Sequence, residues 1–311
     1  MNKGFIAERA KQLKISSLSI SDGLKSGNFT SVFRGQGIEF ESVREYETGD
    51  DVRSIDWNLT ARSGKTFIKL YREERDLTIF LCTDFSLSMD FGDYGISSKE
   101  KTLETAALLA FAGINISSQI GAFFFTGEKG PIFMPRGNPD HVSAILKSME
   151  DFAFNKQKYT KKGTGLETAL TVASKILRHR SMIFIISDFK VEGFEKKLGL
   201  LAAKHDVICI RIINEQDKEL PQAGSIHFKD METDFGMIIP TGSKSFRLEY
   251  KKNFYEELER WLGICKRCLA HPVLLNVSDN TVKVLSNFFI SKQGYQKKSK
   301  NNIRADLWKV F

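Results

Sequence analysis

The string Asp84-Phe85-Ser86-Leu87-Ser88 sets one carboxylate and two hydroxyls at alternate positions, so in an extended chain all three face the same side. Two more oxygen donors follow downstream: Thr164, inside Gly163-Thr164-Gly165, and Asp188, directly after the apolar run at 182–187. Hard oxygen ligands with only two carboxylates suit Mg²⁺, or Mn²⁺ in the same role, and such ions keep part of their shell for water or a partner's group. Two carboxylates at most neutralise a divalent ion. With Asp188 acting through a water, the ion stays electropositive and attracts an acidic group from another molecule. The chemistry expected of this set is binding, with Asp84, Ser86, Ser88 and Thr164 on the metal and Asp188 holding a coordinated water. A bland reading exists for the string alone, in which Ser86 and Ser88 merely cap the next helix. The matching positions of Thr164 and Asp188 at the ends of other elements favour the metal.

Such residues need elements that bring them together, and the middle of the chain supplies them. Residues 76–84 (DLTIFLCTD) form an apolar run of strand length, and a helix opens at Ser97 with Glu100 three residues on, a capping box. The run 121–126 (GAFFFT) and Ile132-Phe133-Met134 flank a Gly-containing turn and suggest a hairpin, after which Asn138-Pro139 reads as a helix start. Helix at 166–179, strand at 182–187, helix at 194–204 and strand at 207–213 continue the alternation. This predicts an α/β fold, a doubly wound and mostly parallel sheet with helices on both faces. In such sheets ligands bind beyond the carboxyl ends of the strands, which is where Asp84 and Asp188 fall.

The pattern then changes. Residues 225–250 contain period-2 stretches (SIHFKDM, SFRLEY) punctuated by Gly236, Pro240 and Gly242, which read as antiparallel strands. A long amphipathic helix is expected at 251–269 and a last helix at 280–290. The first 75 residues offer a helix near 5–13 and candidate strands at 37–46 and 65–72, a small β-rich unit. The expected organisation is thus 1–75, 76–291 with a β insertion near 225–250, and a basic tail at 292–311.

Bulk properties narrow the function classes. The chain has 311 residues, 41% of them hydrophobic, enough for one large core and a smaller appended one. No stretch reaches the roughly 18 uninterrupted apolar residues of a membrane span, and the N-terminal residues lack the apolar region of a signal peptide. Four cysteines are too few for a disulfide framework, so a cytoplasmic location is expected. Cys265 and Cys268 form a C-x-x-C inside a helical pattern, with no second pair to complete a zinc site. Of the formal charge of +8, the last 20 residues supply +5, with six Lys or Arg against one Asp. Nucleic-acid binding through that tail is a minor alternative.

Enzymatic readings fare worse. Gly64-Lys65-Thr66 looks like the end of a phosphate-binding loop, but the Gly required five positions earlier is Leu59, and strand-like FIKLY follows where a helix is needed. No G-x-S-x-G elbow exists, and the five histidines are scattered. A Mg²⁺-dependent hydrolase would need a general base, for which Asp90 and Asp93 are the candidates.

The order DxSxSM, a Gly-Thr loop and Ser-Asp after an apolar strand resembles the metal-ion-dependent adhesion site of von Willebrand factor A domains. The upstream block GQGIEFESVREYETGDDVRSIDWNLTARSGKTFIKLYREER resembles the defining segment of the bacterial family called domain of unknown function 58. The resemblance covers nearly the whole chain. It implies a von Willebrand factor A-like fold and, because members are commonly encoded beside MoxR-type AAA+ ATPases, a role as partner or adaptor of such an ATPase. Lys162 stands where many members have a second Gly before the Thr. Within the block, Arg44, Arg53 and Arg62 interleave with Glu41, Glu45, Asp50, Asp51 and Asp56, which predicts a salt-bridged network holding the small unit on the large one, with Trp57 as a packing anchor.

Overall fold

The computed structural model describes residues 4–26, 37–74, 77–93, 95–127, 129–154, 165–229 and 236–295. In chain order the elements are α1 (Phe5–Ser26), β1 (Gly37–Glu45), α2 (Trp57–Ser63), β2 (Phe67–Glu74), β3 (Thr78–Asp84), β4 (Gly92–Asp93), β5 (Ile96–Ser97), α3 (Ser98–Asn115), β6 (Gln119–Phe125) and β7 (Lys129–Arg136). They continue with α4 (Pro139–Phe154), α5 (Leu166–Ile176), β8 (Met182–Ser187), α6 (Glu195–Ala202), β9 (Asp206–Ile213), α7 (Glu215–Lys218), β10 (Ile226–Lys229), β11 (Gly236–Ile239), α8 (Lys244–Arg267), β12 (His271–Asn276) and α9 (Thr281–Tyr295).

Six strands form the main sheet in the order β12-β9-β8-β3-β6-β7. All neighbours pair in parallel except β7, which returns antiparallel to β6. The central strands read as unbroken apolar runs because both of their faces are covered; every residue of β8 is buried. One face packs Phe80, Cys82, Phe123 and Ile183 against α5, α6 and α8. On the other, α3 lies over β3 and β6, and Phe184 meets Phe289 of α9 edge to face at 6.2 Å. The sheet is therefore α/β and doubly wound, as the alternation of elements implies.

Local chemistry sets the start of α3. Ser97 Oγ accepts from the Glu100 amide at 3.2 Å, and the Ser97 amide donates to Glu100 Oε2 at 2.8 Å, so two otherwise orphaned donors are satisfied. Replacing Ser97 with Ala is expected to cost about 1 kcal/mol, read as a lower urea midpoint with an unchanged slope.

The division of the chain differs from the expected one. The two units are Thr30–Asp76 and the rest, so α1 belongs with the large unit and the small one begins after it. The helix runs to Ser26, well beyond the expected end near 13, because serines share its buried stripe with Ile6, Leu13, Ile20 and Leu24. Ser17 and Ser21 are buried; their hydroxyls donate to the Lys14 and Ser17 carbonyls at 2.8 Å each, so they enter the packing without an unmet donor. Asn115 of α3 adds bonds to both, at 3.1 and 3.3 Å.

Three further expectations change. The stretch SFRLEY is not a strand: it is the first part of α8, capped by Ser243, and the partner of β10 is β11. Trp57 is 67% exposed, too open to serve as a packing anchor; it sits at the start of a seven-residue helix whose residues are all at least partly exposed. The described ion pairs of the small unit close within it, Arg44 with Asp50 at 2.7 Å, Lys65 with Glu45 at 2.6 Å and Lys69 with Asp56 at 3.7 Å. Asp51 and Asp56 are helix caps there, accepting from the Arg53, Asn58 and Leu59 amides. The C-x-x-C lies at the end of α8, with Cys265 buried beside Cys209 and Cys268 Sγ donating to the Glu195 carbonyl at 3.4 Å.

Candidate metal centre

From β3 the chain steps to β6 and β7 on one side of the sheet, and then from β8 to β9 and β12 on the other. The crossovers diverge between β3 and β8, which makes the carboxyl ends of those two strands the switch point where a ligand crevice forms. Asp84 is the last residue of β3 and Asp188 directly follows β8. Thr83 pairs with Ile186, so the two acids leave adjacent strands side by side.

After Asp84 the chain alternates. Phe85 turns into the core, edge to face with Phe124 at 6.4 Å and Phe152 at 5.9 Å, and Met89 is fully buried. That leaves Asp84, Ser86 and Ser88 to the other side. Asp84 Oδ1 accepts from the Ser86 amide at 2.9 Å, and the Ser86 and Ser88 hydroxyls lie 3.0 Å apart. A single-turn 3-10 helix, Leu87–Asp90, holds this curl.

The acids are almost fully removed from water, Asp84 at 0% exposure and Asp188 at 4%. Burial, and then the nearby Asp188 carboxylate, push the Asp84 carboxyl up to about 7. Ser187 works against this by donating to Asp84 Oδ2 at 2.6 Å. Asp188 Oδ1 accepts from the Lys190 amide at 3.2 Å, whereas Oδ2 is buried with no hydrogen-bond partner. A buried, unpaired carboxylate oxygen beside a second acid is costly unless a cation shares the space.

Two backbone features fix the acid after β8. Phe189 has φ 53°, a left-handed conformation that costs a non-glycine residue on the order of 1 kcal/mol or more. It is held there by its ring, which packs on Phe194 at 5.9 Å and Trp261 at 5.3 Å, and by its amide, which donates to Ser187 Oγ at 3.1 Å. Ser187 thus ties β3 to β8 and orients Asp188 through the next residue. In the sequence it stands only as the Ser of the Ser-Asp step after an apolar strand, with no role of its own; what it ties together is set by the fold.

Of the five expected ligands, the structure brings Asp84, Ser86, Ser88 and Asp188 to one end of the sheet, and Thr164 lies outside the described residues. Its neighbour Gly165 opens α5 against the end of β6: a β-carbon there would collide with the Thr126 carbonyl oxygen and lie 3.4 Å from Phe125 Cβ. Asp90, one candidate base, is ion-paired with the buried Lys99 at 2.8 Å, and the Asp93 side chain lies outside the described residues. Among the described residues no group of three or more His, Cys, Asp or Glu could hold a metal. Any metal here would bind to hydroxyls as much as to acids. The tail from 296 onward, the alternative nucleic-acid contact, also lies outside the described residues. Among those described, no helix is long and apolar enough to cross a membrane.

Comparison with known proteins gives the following. The family model described as "Protein of unknown function DUF58" matches residues 42–260. Uncharacterized protein Rv1480 of Mycobacterium tuberculosis is 28% identical over 229 residues, covering 73% of this chain and 71% of that protein. Among solved structures, conserved hypothetical protein BatB from Bacteroides thetaiotaomicron aligns with a TM-score of 0.44 at 16% identity, over 70% of this chain and 99% of that one. The SpRpn10 VWA domain aligns with a TM-score of 0.41 at 14% identity, over 68% and 94% of the two chains.

Proposed function

We propose that this chain, which belongs to the DUF58 family, is a non-enzymatic, metal-dependent protein-interaction module. The observation that carries the proposal is the pair of buried acids at the switch point, one with an oxygen that has no partner and the other driven towards its neutral form. A divalent cation removes both penalties at once. Asp84, Ser86, Ser88 and Thr164 would hold Mg²⁺ or Mn²⁺, with Asp188 close by through water. The ion supplies a positive centre, and an acidic side chain of a partner protein completes its shell.

The identity of the partner, a MoxR-type AAA+ ATPase for which the chain acts as adaptor, comes from the family resemblance. A hydrolytic role is less well supported, since the Lys99 ammonium already engages Asp90. The test is calorimetric titration of Mg²⁺ into wild type and Asp188→Asn protein, each with and without a MoxR-type ATPase. The proposal expects metal binding that the substitution weakens, with ATPase association falling alongside it. A wild type that binds the ATPase equally well in EDTA overturns the metal-dependent part.

A further inference from the structure

Beside Asp188 a cleft of about 260 Å³ opens between the end of β9, the loop after β8, and α8. Its lining includes Lys190, Arg211, Asp217, Tyr250 and Glu257 together with Asp188. Most of these charges are already matched: Lys190 Nζ lies 2.6 Å from Asp217, and Arg211 Nη2 lies 2.6 Å from Glu257. Arg211 is the exception in kind. It is 2% exposed on a strand of the main sheet, its guanidinium stands 5.6 Å from the centre of the Trp261 ring, and Nη1 is buried with no hydrogen-bond partner.

A guanidinium does not shed its proton and carries five donors in a planar fork, so it cannot relieve a missing acceptor by going neutral. Here one carboxylate serves it through one nitrogen, and that carboxylate belongs to a side chain that is 47% exposed. The arrangement leaves capacity for a second acceptor, and a planar carboxylate matches the fork bidentately. The volume fits a group of about ten heavy atoms, a short acid rather than a cofactor.

We propose that the cleft is a carboxylate-binding subsite based on Arg211, adjoining the candidate metal centre through Asp188. It rests on the reading above only in taking the carboxylate to be supplied by an acidic segment of a protein partner; the pairing chemistry stands on the cleft alone. Glu257 then acts as an internal occupant of the guanidinium that an incoming carboxylate displaces towards solvent. Metal at the centre offsets the charge of Asp188 at the edge of the cleft and so favours the incoming group.

The probes are glutarate, a free dicarboxylate, and a short peptide bearing two acidic residues, each titrated in Mg²⁺ and in EDTA. Glu257→Gln removes the competing acid while leaving Arg211 in place, and it is expected to tighten glutarate binding by about tenfold. Arg211→Met is expected to abolish it, with a thermal melt showing whether that variant still folds. A Glu257→Gln protein that binds glutarate no better, or less well, overturns the subsite whatever Arg211→Met does. Peptide binding well above that of glutarate assigns the site to a protein segment, and equal binding assigns it to a free carboxylate. Asp84→Asn separates the two proposals. If it abolishes Mg²⁺ binding while peptide affinity never depends on 211 or 257, the subsite falls and the metal reading stands; if glutarate binding follows 211 and 257 but no metal binds, the reverse holds.

Discussion

Metal-free protein carrying Asp84→Asn is expected to be more stable than the wild type at about pH 8, and Mg²⁺ is expected no longer to raise its melting temperature. The reasoning starts from the Asp84 carboxyl, pushed from an ordinary 3.8 up to about 7 by burial and by Asp188. Between those values the folded state retains a proton that the unfolded chain has released. Its contribution to stability is complete below 3.8, declines as pH rises through the window, and is gone above about 7. The cost to the wild type across the window is on the order of 4 kcal/mol, several degrees of melting temperature or more for a domain of this size. Asn keeps the geometry, since its oxygen can accept from the Ser86 amide and its nitrogen can donate to Ser187 Oγ, but it has no charge to suppress. The two stability curves should run parallel below about 3.8, diverge as pH rises from there to about 7, and run parallel again above it. Cation binding displaces the same proton, so wild-type Mg²⁺ affinity should climb with pH and level off above about 7. A variant less stable than wild type at both ends of the range would mean that the acids are not in conflict, and the case for a cation would lose its footing.

Gly165→Ala should damage the same site from the opposite loop. Gly165 has φ −81°, so glycine is not needed there for its backbone freedom. What requires it is proximity: an added β-carbon meets the Thr126 carbonyl oxygen, a backbone atom at the end of β6 that cannot swing away as a side-chain tip would. Relief comes only by moving the start of α5 off the sheet, and with it the segment carrying Thr164. Overpacking of this kind costs about 1–3 kcal/mol. Because the displaced segment supplies a proposed ligand, Mg²⁺ affinity should fall by about 10- to 100-fold, more than stability alone accounts for. Urea unfolding and metal titration of the same preparation separate the two effects. Lost stability with unaltered metal affinity would remove Thr164 from the ligand set.

The parts of this fold legible in the sequence are those in which one local pattern has one physical cause. Strands covered on both faces leave no room for polar residues, so β3, β6, β8 and β9 appear as apolar runs, and the Ser97–Glu100 box marks the start of α3 because it acts within one helical turn. Sequence pattern and fold part where two causes give the same local string. SFRLEY alternates like a strand, yet Phe246, Tyr250, Phe254 and Leu258 continue a four-residue spacing into the rest of α8, and the longer period decides. In α1, buried serines bonded to their own helix hide an apolar stripe from any count of hydrophobic residues. The acids and hydroxyls of the candidate centre were visible because hard-ligand chemistry restricts residue type. The bridging role of Ser187, the Phe189 turn and Arg211 were not, because they depend on what the fold sets opposite them.

The contact between α1 and α9 has a consequence for how the large unit is made. Ser19 and Ser286 hydroxyls meet at 3.3 Å, and a β-carbon at Gly23 would stand 2.9 Å from Phe289 Cβ, so residues up to 267 positions apart in sequence pack at close range. A ribosome delivers α1 long before α9, and in that interval Ile20 and Leu24 have part of their covering missing. The groove between them thus closes in two stages, α3 covering one side of α1 early and α9 sealing the other only when most of the chain has been made.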